Sequence, residues 1–299
     1  MVRHAWYLLY LIIVAFSASM SNWLSMWTML ELSSWVMIII TMPNNGIIYD
    51  TMFKMFVMLS LSSMMLILLW LCHWMKNEWI LAILAFKMGL PPLHWWVGWA
   101  MKTMSWKTMW WFTTVHKLVP MIITSMVVSS MLIFWWCVIS FIWGSMSFWL
   151  STSYFLILFY SSCIHSSWLW VTVYNLSTFL TYYVIYSVIM LYIFMETKKS
   201  EYWTHSTSLA WMMIILLGVP VSMVFFLKFI TMAIFINTIS LLAWLLMLIN
   251  ILTIFPYTRM VWNLYSNYMY NSNKYQSNSS LYGAHMLVLC QFVLWPCML

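Results

Sequence analysis

The stretch Trp79–Trp96, WILAILAFKMGLPPLHWW, decides the fold. Its first half is continuously apolar, without the alternation of a barrel strand, so it reads as a helix at membrane depth. Lys87 stands inside that run, and Gly89, Pro91 and Pro92 interrupt it at once. Proline removes a donor and frees a carbonyl, which in hydrocarbon must be satisfied by water, a side chain or another helix. Broken helices of this kind line cavities and sit at ion sites in transporters.

The rest of the chain agrees with a lipid solvent. Of 299 residues, 65% are hydrophobic, 20% aromatic and 6% charged. Soluble domains carry about 25% charged residues, and a water-facing surface cannot be covered with so few. A span needs roughly 20 apolar residues. Apolar runs near 5–20, 23–42, 51–72, 79–97, 106–126, 128–143, 148–170, 173–195, 206–230, 233–255 and 284–298 predict an all-α integral membrane protein of about eleven transmembrane helices. The whole chain, 1–299, reads as a single transmembrane domain, with 256–283 a polar loop outside the membrane. The N-terminal run reads as the first span rather than a signal peptide, and no Arg- and Ser-rich amphipathic presequence is seen, so the chain is expected to be made where it is inserted. Abundant Met (31) and Trp (24) fit a mitochondrial genetic code.

Alternating the spans puts Arg3, Lys102, Lys107, Lys198, Lys199, Arg259 and Lys274 on one side and Lys76, beside Glu78, on the other. By the positive-inside rule the first side, which holds the N-terminus and the 256–283 loop, faces the cytoplasm or matrix. The basic residues do not cluster with aromatics on a soluble surface, which excludes nucleic-acid binding as a reading. The cysteines Cys72, Cys137, Cys163, Cys290 and Cys297 lack CxxC spacing and read as small apolar side chains, not as metal or disulfide sites.

The informative residues are the charges left inside spans. Glu31 lies mid-run in NWLSMWTMLELSSWVMIII, Lys117 in WWFTTVHKLVPMIITSM and Lys228 in LLGVPVSMVFFLKFITMAIF. With Lys87, each costs about 2.5–3.5 kcal/mol to insert, and such residues normally face the bundle interior or a wet path for ions or protons. Pro120 follows Lys117, and Gly218 and Pro220 precede Lys228, so three of the four charges sit beside a helix breaker. Lys228 alternatively reads as a snorkelling anchor, and Lys54 as either an anchor or a buried partner. His94, seven residues after Lys87, is expected on the same helix face. His116 adjoins Lys117 but points elsewhere, and His165 lies among Ser161, Ser162, Ser166 and Ser167. Each histidine reads as a proton shuttle or as a hydrogen-bonded packing residue.

FKMGLPPLHWWV, followed about thirty residues later by VHKLVPM, resembles the subunit 2 family of NADH dehydrogenase in mitochondrial respiratory complex I. WLSMWTMLEL, TMFKMF, YSSCIHSSW and LGVPVSMVFFLKF are similar to further segments of that family, in order, from about residue 22 to 260. The sequence departs from the pattern at Gly98–Trp99, at Leu156 and over Leu217–Val221, while the four charged positions are intact. The resemblance implies an antiporter-like bundle with broken helices, in which Glu31 and Lys87 form a coupled acid–lysine pair. It makes Lys117 the central relay lysine and Lys228 the terminal one. It further implies a proton-translocating membrane-arm subunit of NADH:ubiquinone oxidoreductase in the mitochondrial inner membrane, with its N-terminus toward the matrix. Its expected partners are other membrane-arm subunits, lipids, protons and internal water, and no nucleic acid. No redox centre or cofactor is expected on this chain; NADH, flavin, iron–sulfur clusters and ubiquinone belong elsewhere in such a complex. The rival readings are a sodium/proton antiporter subunit and a non-catalytic membrane scaffold.

Overall fold

In a computed structural model, the described residues are 2–42, 49–72, 76–127, 130–151, 154–199, 207–219, 222–236 and 240–271. Among them the regular structure is entirely helical: α1 (Val2–Ser19), α2 (Trp23–Thr41), α3 (Tyr49–Leu71), α4 (Asn77–Met88), α5 (Trp95–Thr103), α6 (Trp106–Thr113), α7 (Leu118–Val127), α8 (Ser130–Leu150), α9 (Tyr154–Thr172), α10 (Leu176–Lys199), α11 (Thr207–Leu217), α12 (Met223–Ile236), α13 (Ser240–Leu252) and α14 (Ile254–Asn271), with a 3₁₀ turn over Val115–Lys117. Among the described residues, six helical stretches are long and apolar enough to cross a bilayer: Trp23–Thr41, Asp50–Leu71, Met131–Leu150, Phe155–Thr172, Leu176–Glu196 and Trp244–Leu264. The pairs α4/α5, α6/α7 and α11/α12 are short halves on either side of a break, as the breakers predict. This arrangement is compatible with eleven spans; the expected last one, 284–298, lies outside the described residues.

The surface is apolar, and the mostly apolar interior also holds small polar side chains. On α8, Trp135, Ile139, Ile142, Trp143 and Met146 face outward, while Ser140 and Ser145 are buried. Ser33, Ser34, Ser62, Ser63, Ser161, Ser162, Ser166 and Ser167 are likewise inside. Their hydroxyls mostly donate to carbonyls three or four residues back, as Ser33 does to Leu30 and Ser161 to Leu158. Apolar surface outside and satisfied polar groups inside is the pattern lipid imposes.

By packing, the chain divides into two compact units. The first comprises residues 1–147 and 151–174, and the second 148–150 and 175–299. In the first, α2 packs on α1 and α3, and α7 touches α1, α2 and α4. In the second, α11 packs on α10, α12 and α14.

Helical structure extends into the expected 256–283 loop as far as Asn271; the remainder lies outside the described residues. Tyr257, Met260 and Leu264, at helical spacing, are buried on one side of α14. That sparse stripe is enough to hold a helix against its neighbours, although the surrounding Asn and Ser residues disguise it in the sequence. Likewise α8 runs to Leu150 instead of ending near 143. Phe148 is buried edge-on against Tyr257, with ring centroids 4.9 Å apart, which anchors that last turn.

Candidate functional site

The first break builds half of the site. Helix α4 ends because Gly89 adopts a left-handed conformation (φ 68°, ψ 39°), in which its N–H donates to Phe86 and the N–H of Leu90 to Ala85. A side chain at Gly89 would also collide with Val97 on α5. The Phe86 carbonyl at the break receives a further hydrogen bond from the indole of Trp96, at 3.1 Å. The last turn of α4 is thereby fixed with Lys87 pointing inward, fully buried. Its Nζ lies 3.7 Å from Oε2 of Glu31 on α2, whose side chain is 17% exposed. The other carboxylate oxygen accepts a 3.0 Å hydrogen bond from Trp35 Nε1, one turn along the same helix. Glu31 and Lys87 therefore meet as the sequence predicts. At 3.7 Å the pair is an ion pair rather than a tight hydrogen bond.

The second break presents Lys117. Pro120 cannot donate to the carbonyl four residues back, and the chain tightens into a 3₁₀ turn over Val115–Lys117 before α7 continues. Lys117 is buried and points to α9. Its Nζ donates to the Ser162 carbonyl (3.1 Å), Ser162 Oγ (3.3 Å) and Ser166 Oγ (3.3 Å). No carboxylate stands within ion-pair distance of Lys117 among the described residues. Its charge is held by neutral oxygens, whereas that of Lys87 is held by Glu31. The polar patch of α9 is thus joined to Lys117 through its serines. His165 is fully buried in the same helix.

One expectation about the histidines changes. His94 does not share a helix face with Lys87, because the helix stops at Met88 and His94 is the residue that begins α5. It packs instead on Phe159 and Tyr160 of α9, at 6.0 and 5.5 Å between centroids. His116 points elsewhere than Lys117, as expected. It is buried beneath α1, with Nδ1 2.8 Å from the Tyr10 hydroxyl. Tyr10 carries no signal in the sequence, since a tyrosine in a first span reads as an interface residue.

In the second unit, Lys228 is 4% exposed and so is no snorkelling anchor. Its Nζ donates to Asn250 Oδ1 on α13 (3.0 Å) and to the Leu217 carbonyl at the end of α11 (3.4 Å). Gly218, at φ 78°, turns the chain there, and the ammonium sits 3.4 Å from where its side chain would begin. The hydroxyl of Ser222 accepts from Phe225 N–H and caps α12. Pro220 and Val221 lie outside the described residues. Asn250 went unmarked in the sequence reading, though a mid-helix amide in an apolar run was a visible signal. Lys54 proves to be a surface residue, paired at 2.7 Å with Asp50 and half exposed. Cys137 and Cys163 are buried free thiols, and Cys72 is exposed. No group of metal-ligating side chains occurs among the described residues.

No protein-family model matches the chain. It is 26% identical over 230 residues to NADH-ubiquinone oxidoreductase chain 2 of Artemia franciscana, covering 72% of this chain and 74% of that one. It is 30% identical over 196 residues to the protein of the same name from Locusta migratoria, covering 60% of this chain and 57% of the relative. Its fold is shared with a chain of respiratory complex I from Thermus thermophilus, at TM-score 0.76 and 15% identity, over 95% of this chain and 76% of the other. It is also shared with a chain of an archaeal membrane-bound sulfane sulfur reductase, at TM-score 0.75 and 12% identity, over 97% and 73%. With this fold and its apolar surface, the chain is a multi-pass membrane protein similar to NADH-ubiquinone oxidoreductase chain 2.

Proposed function

We propose that the chain is a proton-translocating membrane subunit of a respiratory NADH:ubiquinone oxidoreductase. The observation that carries this reading is the Glu31–Lys87 ion pair, formed across two helices with the lysine fully buried. A scaffold has no use for such a pair, because inserting each charge costs energy that an apolar residue would not. Burial disfavours an ammonium and a neighbouring carboxylate favours it, so loosening the pair frees Lys87 to give up its proton. Lys117 is the receiving site. Its serine and carbonyl partners serve the ammonium and the amine alike, whereas a fixed carboxylate would trap the charge. Lys228, in the second unit, has the same kind of neutral oxygen partners and takes the terminal role.

In this reading the chain holds no redox centre. It works beside other membrane subunits, in contact with lipid and internal water, in the mitochondrial inner membrane with its N-terminus toward the matrix. Quinone reduction elsewhere in the complex supplies the energy. The test is Lys117→Met in the intact complex reconstituted into proteoliposomes. This substitution keeps the length of the side chain and removes the proton. Assembly with strongly reduced pumping per NADH oxidised is expected. An assembled Lys117→Met complex that pumps normally would favour the scaffold.

A further inference from the structure

Between α3 and α4 the first unit carries a cavity of about 400 Å³ that holds none of the buried charges. Leu61, Met65 and Leu68 of α3 form one wall, and Trp79, Ile83 and Phe86 of α4 the other. Ser62 lines it too, but its hydroxyl is already spent on the Leu59 carbonyl at 2.7 Å. Leu61, Met65, Leu68 and Trp79 are exposed, so the cavity opens on the outer surface of the unit as a groove. An apolar groove left empty forfeits the dispersion contacts of its lining, and the solvent on that surface is lipid. Along α3, Leu61 to Cys72 covers about 16 Å at about 1.5 Å per residue. One leaflet's share of a hydrocarbon core is about 15 Å. The groove is therefore as deep as a single leaflet, with Trp79 and the exposed Cys72 at its outer end.

Two opposite charges stand at that end. Lys76 occupies the N-cap of α4 and Glu78 its first turn, and both are exposed. Side chains two residues apart on a helix do not face each other, and no ion pair joins these two among the described residues. A free cation and a free anion above an apolar groove complement a headgroup that carries both signs. A headgroup with only negative charge would be repelled by Glu78 as much as it is drawn to Lys76. We propose that this groove is a binding site for one zwitterionic phospholipid: an acyl chain lies between α3 and α4, the phosphate is held at Lys76 and the headgroup ammonium at Glu78. Trp79 sits at the level where aromatic side chains anchor a span to the interface. The site requires a membrane-spanning fold and does not depend on proton translocation. The chain would pack on Phe86, whose carbonyl takes the Trp96 indole at the α4/α5 break, so a bound lipid supports the wall that carries Lys87.

The probe is a phosphatidylethanolamine with a photoreactive diazirine on one acyl chain, reconstituted with the intact complex, and crosslinked peptides are mapped by mass spectrometry. Labelling of α3 and α4 along the groove is expected to saturate as the probe's share of the membrane rises, whereas annular lipid labels in proportion to that share. Unlabelled zwitterionic lipid is expected to compete, and an equal amount of anionic lipid is not. Ala82 also lines the groove, and Ala82→Phe fills it, so the saturable labelling is expected to be lost. Lys76→Glu is expected to lower it about threefold, on the scale of one exposed ion pair. Glu78→Lys is expected to turn the preference toward an anionic photolipid. Labelling that never saturates means annular lipid only and overturns the proposal. No labelling of the groove in the assembled complex means that another protein covers it, and overturns the proposal equally. Stronger competition by anionic lipid in the wild type, or saturable labelling that survives Ala82→Phe, does the same. If Ala82→Phe does not assemble, the two exposed charge variants decide: a changed lipid preference supports the site, and unchanged labelling in both sinks it.

Discussion

Replacing Glu31 with glutamine removes one charge and almost nothing else. The amide has nearly the same shape, and its oxygen still accepts from Trp35 Nε1, now 3.0 Å from Glu31 Oε1. What disappears is the counter-charge 3.7 Å from a fully buried ammonium. At an effective dielectric of about 20, that separation corresponds to an attraction of about 4 kcal/mol. Breaking a buried pair on one side costs a similar amount, about 3–5 kcal/mol, because the remaining charge is uncompensated. Two readouts follow. Thermal stability of the assembled complex, or its yield, falls in Glu31→Gln, and proton pumping followed with a pH-sensitive dye in proteoliposomes is lost while NADH oxidation persists uncoupled or slowed. Adding Lys87→Met to the same chain removes the stranded ammonium. The double variant therefore recovers stability relative to Glu31→Gln alone, giving a coupling energy of more than about 1 kcal/mol in a double-mutant cycle, but it does not recover pumping. Additive effects on stability, or normal pumping by Glu31→Gln, would refute the claim that this pair holds and releases the proton.

Gly89→Ala is expected to impair assembly by more than about 2 kcal/mol, since the left-handed backbone alone costs 1–2 and the methyl group meets Val97; a normal melting temperature would contradict the tight α4/α5 break. Asn250→Leu removes a 3.0 Å side-chain acceptor of Lys228, so pumping falls about tenfold while Asn250→Gln retains part of it, and equal activity of Leu and Gln would show that the amide oxygen is idle. Asp50→Asn breaks an exposed pair and changes stability by less than about 1 kcal/mol, which thermal melting checks. A membrane-impermeant maleimide is expected to label Cys72 only from the side away from the matrix, and a cysteine replacing Lys107 only from the matrix side, because one broken span, α4/α5, separates them; reversed labelling would invert the topology.

The sequence by itself determined the lipid solvent, the helical class, the approximate spans and the four charges within them. These depend on composition and on local chemistry: apolar runs of membrane length, and a lysine beside a glycine or proline, carry the same meaning wherever they fold. It also marked the breaks themselves, because Gly89 and Pro120 act on their own backbone. The tertiary structure decided what each charge meets. Glu31 and Lys87 belong to different helices, and only packing brings them to 3.7 Å. Lys117 reaches Ser162 and Ser166, and Lys228 reaches Asn250, across 45, 49 and 22 residues of chain. His94 shows the limit from the other side. Its spacing from Lys87 implied a shared face only while the helix was taken as unbroken, and the left-handed turn at Gly89 rotated it onto α9. Tyr10 and His116 were illegible as a pair for the same reason. A hydrogen bond between residues 106 positions apart leaves no period in the sequence, since it is set by how α1 lies over the turn before α7 and not by any rule of local spacing.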